Sequence, residues 1–184
     1  MKREVELMST KKICINAMGI ALFVVLSLCL QVPVFKNYYL CLGYIVMSFY
    51  TYYFGIVSGT MVGIIGVLLY CILTGGLRGM PGWIFGNIVI GIVCGMAVVC
   101  VKKHHNQWMQ QGIMIIAVVA STAIGILGIK SMTEVLLYGV SFVVRISNNI
   151  FAFIADVIVL GIGFEICIAG ENIFKNIVKG FNDE

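Results

Sequence analysis

Charge is what this sequence has least of. Only 11% of its 184 residues are charged, whereas soluble domains carry about 25% charged residues. Hydrophobic residues make up 61% of the chain, and the mean hydropathy is +1.06. This composition excludes a water-soluble globule. It also excludes intrinsic disorder, because disordered chains combine low hydrophobicity with high net charge. Lipid is therefore the expected solvent for most of the chain.

Motifs for nucleotide hydrolysis and for hydrolytic enzymes are missing. The sequence has no G-x-x-x-x-G-K-[ST] phosphate loop, no G-x-S-x-G and no H-E-x-x-H. Two carboxylates are expected at membrane depth, Asp156 and Glu165, and their spacing places them about 180° apart around a helix, so they cannot act as a pair. A channel or proton-coupled carrier needs several ionisable groups that face one pore, and this chain has too few of them at membrane depth. We therefore expect no enzyme, and no energy source within the chain.

The cysteines and histidines do not form a metal-binding pattern. The seven cysteines lie within or beside apolar segments, and no C-x-x-C pair occurs. They are therefore interpreted as small hydrophobic residues. His104 and His105 are adjacent but have no further ligands nearby, which makes a poor metal site. We expect no metal, no cofactor and no nucleic-acid partner.

Long uncharged stretches predict six membrane-spanning helices, at about 20 residues per span. Residues 37–77 include 41 positions without a charge, enough for two spans with a turn near Gly55 and Gly59. The predicted spans are 13–30, 40–54, 57–73, 83–101, 113–129 and 148–169. The expected fold is one all-α membrane domain, residues 1–184, with both termini on the same side.

The distribution of Lys and Arg predicts the orientation, because cytoplasmic loops hold the excess of basic residues. With the N-terminus inside, eight basic residues lie on the inner side and four on the outer side. The inner ones are Lys2, Arg3, Lys11, Lys12, Lys102, Lys103, Lys175 and Lys179, and the outer ones are Lys36, Arg78, Lys130 and Arg145. We expect a multi-pass protein of the cell membrane with both termini in the cytoplasm.

Polar side chains gather at the outer ends of the predicted helices. In the last helix, Arg145, Asn149 and Asp156 fall within about 40° of one another, at about 100° per residue, and Asn148 flanks them. An unpaired Asp156 in hydrocarbon would cost on the order of 3 kcal/mol. It must therefore face the bundle interior, water or a partner.

A second polar face lies on the fourth helix, below a Gly-rich loop at 74–82. Trp83, Asn87 and Gly91 repeat every four residues there, and glycines in the loop allow close approach to a ligand. These groups predict an outward-opening pocket for a small molecule. The predicted pocket residues are Lys36, Asn37, Tyr38, Arg78, Trp83, Asn87, Thr122, Arg145, Asn148, Asn149 and Asp156.

Structural alternatives exist for these residues. Tyrosine and tryptophan are also common interfacial anchors, Lys36, Arg78 and Lys130 are alternatively solvated loop charges, and Asp156 alternatively pairs with Arg145. The stretch 131–147 is expected to be an outer connection that partly caps the pocket. The alternative function is that of a small structural or assembly membrane protein without a ligand pocket.

Small residues mark one face of the first helix. Ala17 and Ala21 are one turn apart, a spacing that lets membrane helices approach closely. Three further features accompany this face: the turn at 54–63, the Gly/Pro-rich loop before the fourth helix, and the pair Asn148 and Asn149. Together these features resemble the substrate-binding S component of energy-coupling factor (ECF) transporters.

The resemblance implies a high-affinity binding subunit in a bacterial plasma membrane. S components capture a vitamin or related micronutrient from outside and dock onto a transmembrane T subunit that carries two ATPases. Carried over, Ala17 and Ala21 would form the docking face. Riboflavin-like, pantothenate-like and other substrates remain open, and the excess of basic outer groups slightly favours a carboxylate or phosphate on the substrate.

Overall fold

The computed structural model describes residues 10–29, 32–35, 38–104 and 106–171, and for 10, 11, 32–35, 38 and 39 it describes the backbone alone. The helices are α1 (Thr10–Cys29), α2 (Gly43–Phe54), α3 (Ile56–Thr74), α4 (Met80–Val101), α5 (Gln107–Thr122), a π-helical segment (Ala123–Lys130), α6 (Ser131–Tyr138) and α7 (Phe142–Ala169). Strands β1 (Val32–Phe35) and β2 (Tyr38–Leu40) pair as an antiparallel hairpin between α1 and α2, where the sequence predicted only a loop.

Five helical stretches in the described part of the chain are long and apolar enough to cross a membrane. They are Lys12–Cys29, Ile56–Thr74, Met80–Val101, Gln107–Tyr138 and Phe142–Ala169. The predicted second span differs, because α2 has 12 residues and is about 18 Å long at 1.5 Å per residue, against about 30 Å of hydrocarbon. The helical membrane class is confirmed, whereas six spans and cytoplasmic termini stay predictions.

The fifth and sixth predicted helices are too short. The fifth, 113–129, is helical without a break from Gln107 to Tyr138, so the expected outer connection at 131–147 is mostly wrong. Asn106 caps its start, because its side chain accepts a hydrogen bond from the Trp108 N–H. Gly139, at φ 65°, ends it. The last helix starts at Phe142 rather than at 148.

The reason for these errors is burial of charge. In the sequence, Lys130 and Glu134 indicate a solvated connection, but their exposed fractions are 8% and 6%. Both side chains face the protein interior, where a charged residue does not interrupt a helix. A sequence window that treats charge as a loop signal therefore ends the helix too early.

Glycines allow the helices to pack closely. A Cβ on Gly86 of α4 would lie 2.9 Å from the carbonyl oxygen of Gly125 in the π-helical segment, so only glycine fits there. Gly59 and Gly63 of α3, which are also one turn apart, lie against side chains of α2. These glycines serve packing within the protein, whereas the Ala17 and Ala21 face of α1 is exposed.

The α2 helix lies in the core and connects the two ends of the bundle. Eight of its 12 residues are buried. Near its start, the Tyr44 hydroxyl bonds to α4. Near its end, the Tyr52 hydroxyl donates to Glu171 at 3.2 Å, and the Lys102 ammonium group donates to the Tyr52 carbonyl oxygen. The loop at 75–79 and the start of α7 therefore lie at the end opposite Lys102 and Glu171.

Candidate functional site

A cavity of about 660 Å³ opens where the α3–α4 loop, α6 and the first turns of α7 meet. Pockets for small molecules in proteins typically enclose about 300–1,000 Å³. Its wall combines three aromatic side chains with five charged ones: Tyr70, Trp83, Tyr138, Arg78, Lys130, Glu134, Arg145 and Asp156. A compact organic molecule fits a site of this size and composition.

Trp83, in the first turn of α4, makes three contacts with other side chains. The Tyr70 ring meets it edge-on, with ring centroids 5.9 Å apart and planes at 85°. The Lys130 Nζ lies 5.5 Å from the centroid of the Trp83 ring, in cation–π range. The indole Nε1–H donates to the Tyr44 hydroxyl at 2.7 Å. Part of the indole is left to line the cavity.

A chain of buried hydrogen bonds continues from Trp83 into the core. The Tyr44 hydroxyl donates to Asn87 Oδ1 at 2.7 Å, and Asn87 Nδ2 donates to the Gly63 carbonyl oxygen at 3.0 Å. Tyr44 and Asn87 are both 0% exposed. The chain therefore joins the cavity wall to α2 and α3 without contact with solvent.

The charged side chains on the wall are paired across helices. The Arg145 guanidinium of α7 lies 3.6 Å from Glu134 Oε2 of α6. The Asn149 amide donates to Ser131 Oγ at 3.0 Å and lies 3.5 Å from Glu134 Oε2. These contacts tie α6 to α7 beside the cavity. They also satisfy Glu134, which would otherwise be a costly buried charge.

Asp156 lies deeper on α7 and is 4% exposed. The Lys130 ammonium attracts its carboxylate, and the Tyr44 hydroxyl lies beside it. With Arg78, Lys130 and Arg145 against Glu134 and Asp156, the wall has three positive groups and two negative ones. A ligand therefore meets both hydrogen-bond donors and acceptors along the wall.

The α3–α4 loop is attached to α6 across the cavity mouth. The Tyr138 hydroxyl donates to the Arg78 carbonyl oxygen at 2.6 Å, and the Arg78 guanidinium lies 5.1 Å from the centroid of the Tyr138 ring. Gly75, at φ 72°, permits the sharp turn after α3. The loop is therefore placed so that its backbone lines the cavity.

The cavity offers binding groups rather than a reactive one. Burial, and secondarily the Asp156 carboxylate, raises the pKa of the Cys41 thiol to about 12, so this wall residue is neutral at physiological pH and a weak nucleophile. Among the described residues, no group of three His, Cys, Asp or Glu side chains could hold a metal ion. The arrangement can bind and orient a small molecule.

Residues 7–170 match the family model of the ECF-type riboflavin transporter S component. The chain belongs to this family of ECF S components. No curated protein matches it significantly. The resemblance seen in the sequence is thereby confirmed, and the S component is a membrane substrate-binding subunit for vitamin uptake, not an enzyme.

The structure brings five of the eleven predicted pocket residues of this S component to the cavity wall. They are Arg78, Trp83, Arg145, Asn149 and Asp156. Their contact with substrate stays a prediction. Lys36 and Asn37 lie outside the described residues, as does the side chain of Tyr38.

Three predicted residues do not reach the cavity. Asn87 is buried one layer behind Trp83. Thr122 is 0% exposed, and its hydroxyl has no hydrogen-bond partner among the described residues. Asn148 is exposed on the outside of α7. Spacing along a helix gives the direction of a side chain but not the neighbours that cover it.

Several wall residues of the S component were not among the predicted pocket residues. Lys130, Glu134 and Tyr138 are three of them. They are four residues apart, which is the spacing of one helix face. The signal is therefore present in the sequence, but it has meaning only if 131–138 is helical, and the charges there predict a connection instead.

Proposed function

We propose that this S component binds riboflavin in the 660 Å³ cavity and delivers it to an ECF module for import. The observation that carries the proposal is the match of residues 7–170 to the riboflavin S component family, since that range includes every described wall residue of the cavity. The module would consist of a T subunit and two ATPases, as the resemblance implies.

The chemistry of the wall supports a flavin as the ligand. Riboflavin has a flat aromatic ring system, a ring edge that alternates donors and acceptors, and a flexible chain of hydroxyl groups. Trp83 and Tyr70 offer aromatic surface for the rings. Asp156 can accept hydrogen bonds from an N–H or a hydroxyl, and Lys130 and Arg145 can donate to carbonyl oxygens.

The position of the basic α4–α5 loop supports a cavity that faces outward. Lys102 and Lys103 lie in the loop between α4 and α5, at the end opposite the cavity. Because basic loops stay in the cytoplasm, the cavity opens to the outside of a bacterial plasma membrane in this proposal. Substrate is then captured outside, and the energy for import comes from the partner ATPases.

The proposed docking face for the T subunit is the exposed side of α1. Ala17 and Ala21 are exposed there, while Gly19 on the other side of the helix packs against Tyr50. Small exposed side chains let a partner helix approach closely in lipid. The face is thus available without disturbing the cavity.

A flavin titration of the purified protein in detergent tests the proposal. We expect flavin to copurify, as seen by absorbance and mass spectrometry, and added riboflavin to show saturable binding with quenched flavin fluorescence. Thiamine, pantothenate and biotin serve as controls. Binding of one of these instead of riboflavin would overturn the substrate. Absence of any saturable binding would favour the structural or assembly protein.

A further inference from the structure

Tyr44 lies directly behind the cavity wall, where α2 meets α4. Its ring packs edge-on against Phe23 of α1, with centroids 6.0 Å apart and planes at 81°. Its hydroxyl is the one polar atom of the side chain, and it joins Trp83 to Asn87. We infer that Tyr44 and Asn87 are positioning residues, which hold the Trp83 indole in the single orientation that leaves its ring available to the ligand.

The hydrogen bonds of this chain can run in only one direction. An indole N–H donates and cannot accept, so the Tyr44 hydroxyl must accept from Trp83. Asn87 uses its amide N–H on the Gly63 carbonyl oxygen, which leaves its Oδ1 to accept from Tyr44. The Asp156 carboxylate also lies near Tyr44, but the hydroxyl donates its proton to Asn87 Oδ1. A lone pair of the hydroxyl therefore points towards Trp83.

The other contacts of Trp83 do not set its orientation by themselves. Tyr70 and Lys130 contact the ring through its edge and face, and such contacts tolerate rotation of the indole. The terminal torsion of tryptophan has broad minima, so without the N–H bond several orientations are accessible. Tyr44 and Asn87 remove that freedom before the ligand binds, which favours affinity through preorganisation.

The spectroscopic test uses Trp83 as the reporter. The chain has two tryptophans, and Trp108 is 84% exposed, so a W108F background, excited selectively at tryptophan, leaves Trp83 as the single tryptophan reporter. In ligand-free protein we expect Y44F to shift the Trp83 emission and to increase its quenching by acrylamide. This readout is independent of riboflavin. N87A should produce the same change from the other end of the chain, and it replaces Y44F as the test variant if Y44F does not fold.

The binding test uses the same variants. We expect Y44F to weaken riboflavin binding about tenfold, the order of effect for one lost hydrogen bond, and the Y44F/N87A double variant to lose little more, since the two residues act as one unit. The riboflavin part of this test rests on the proposed function.

The matched control is Y50F. Tyr50 is also a buried α2 tyrosine, but its hydroxyl donates to the Ile15 carbonyl oxygen of α1 at 2.8 Å, away from the cavity. Y50F should leave Trp83 emission and riboflavin affinity unchanged. The inference is overturned if folded Y44F or N87A matches Y50F in both readouts, or if affinity falls while Trp83 emission and quenching stay as in the parent. If riboflavin does not bind the parent but Y44F alters Trp83 emission, the proposed substrate fails and the positioning role stands.

Discussion

Asp156 and Lys130 are buried charged residues on the cavity wall. Asp156 is 4% exposed and Lys130 is 8% exposed. A buried charge is tolerated when an opposite charge compensates it, and removal of one partner is costly. The Lys130 ammonium group attracts the Asp156 carboxylate, and both side chains line the cavity.

The first prediction concerns Asp156. The D156N variant keeps the shape of the side chain but removes its charge, so we expect riboflavin affinity to fall about 10- to 100-fold, since hydrogen bonds to charged groups contribute about 1.5–3 kcal/mol. Fluorescence titration of the purified protein in detergent measures this affinity.

Glu165 provides the control on the same helix. Its carboxylate accepts a hydrogen bond from Gln111 Nε2 of α5 at 2.7 Å and does not line the cavity. E165Q should therefore bind riboflavin as the parent does. Equal losses of affinity in D156N and E165Q would contradict a specific role for Asp156.

Helical spacing explains both the cavity residues that the sequence predicted correctly and those that it misplaced. Helical spacing put Arg145, Asn149 and Asp156 on one face, and all three line the cavity. The same rule put Asn87 beside Trp83, but the Tyr44 side chain lies between Asn87 and the cavity wall. Angular position follows from sequence, whereas depth depends on which neighbouring side chain lies in front.

At the scale of elements, the contact between α4 and the π-helical segment decides where Lys130 lies. Gly86 and Gly125 meet backbone to backbone, and a Cβ on Gly82 would lie 3.0 Å from the Lys130 carbonyl oxygen. This close approach brings the end of the segment against Trp83. π-Helical turns occur frequently at functional sites, and here the segment leads directly into the cavity wall.

The second prediction tests this contact with Gly86. The G86A variant places a methyl group against a carbonyl oxygen that cannot move independently of its helix, so we expect a loss of about 1–3 kcal/mol and a lower thermal midpoint. Riboflavin affinity should fall as well, because Lys130 moves with the segment.

The control for this prediction is G112A. Gly112 lies in the exposed part of α5, and a Cβ at this position would have no side chain or neighbouring helix within 4 Å. Alanine there should be neutral or stabilising by about 0.5–1 kcal/mol. A thermal midpoint for G86A as high as that of G112A would show that the two helices can separate without cost.

The length of the fifth helix shows why the ends of helices are harder to predict from the sequence than the membrane class of the protein. Lys130 follows an apolar run and Glu134 comes one turn later, a pattern typical of a helix end in lipid. The cavity gives these charges a polar environment inside the bundle. The helix therefore continues to Tyr138, and nothing local in the sequence distinguishes this case from a solvated loop.

For the whole molecule, the cavity and the proposed docking face lie on different surfaces. The cavity is at one end of the bundle, whereas Ala17 and Ala21 are exposed along the side of α1. Substrate binding and partner docking should therefore be separable by mutation. This separation is expected under the proposed function, in which the subunit binds substrate alone and partner subunits supply the energy.

The third prediction replaces both alanines with leucine. We expect A17L/A21L to bind riboflavin normally, because neither residue lines the cavity, and to lose riboflavin uptake by cells, because bulky side chains keep a partner helix away. Uptake in cells and titration of the purified protein are measured on the same variant.

Ala120 supplies the control, since it is an exposed alanine on α5 rather than α1. A120L should retain both uptake and binding. Loss of riboflavin binding in A17L/A21L would show that this face supports the fold or the cavity, and retained uptake would show that docking uses another surface.

Composition by itself determined that this chain belongs in lipid, because 11% charged residues cannot cover a soluble surface. Sequence also determined the S-component family, since its patterns extend over nearly the whole chain. Only the tertiary structure decided which of the scarce polar residues share a cavity. Lys130, Glu134 and Asp156 meet there because close packing at Gly86 and Gly125 brings α4, the π-helical segment and α7 together, and that convergence depends on contacts between residues far apart in sequence.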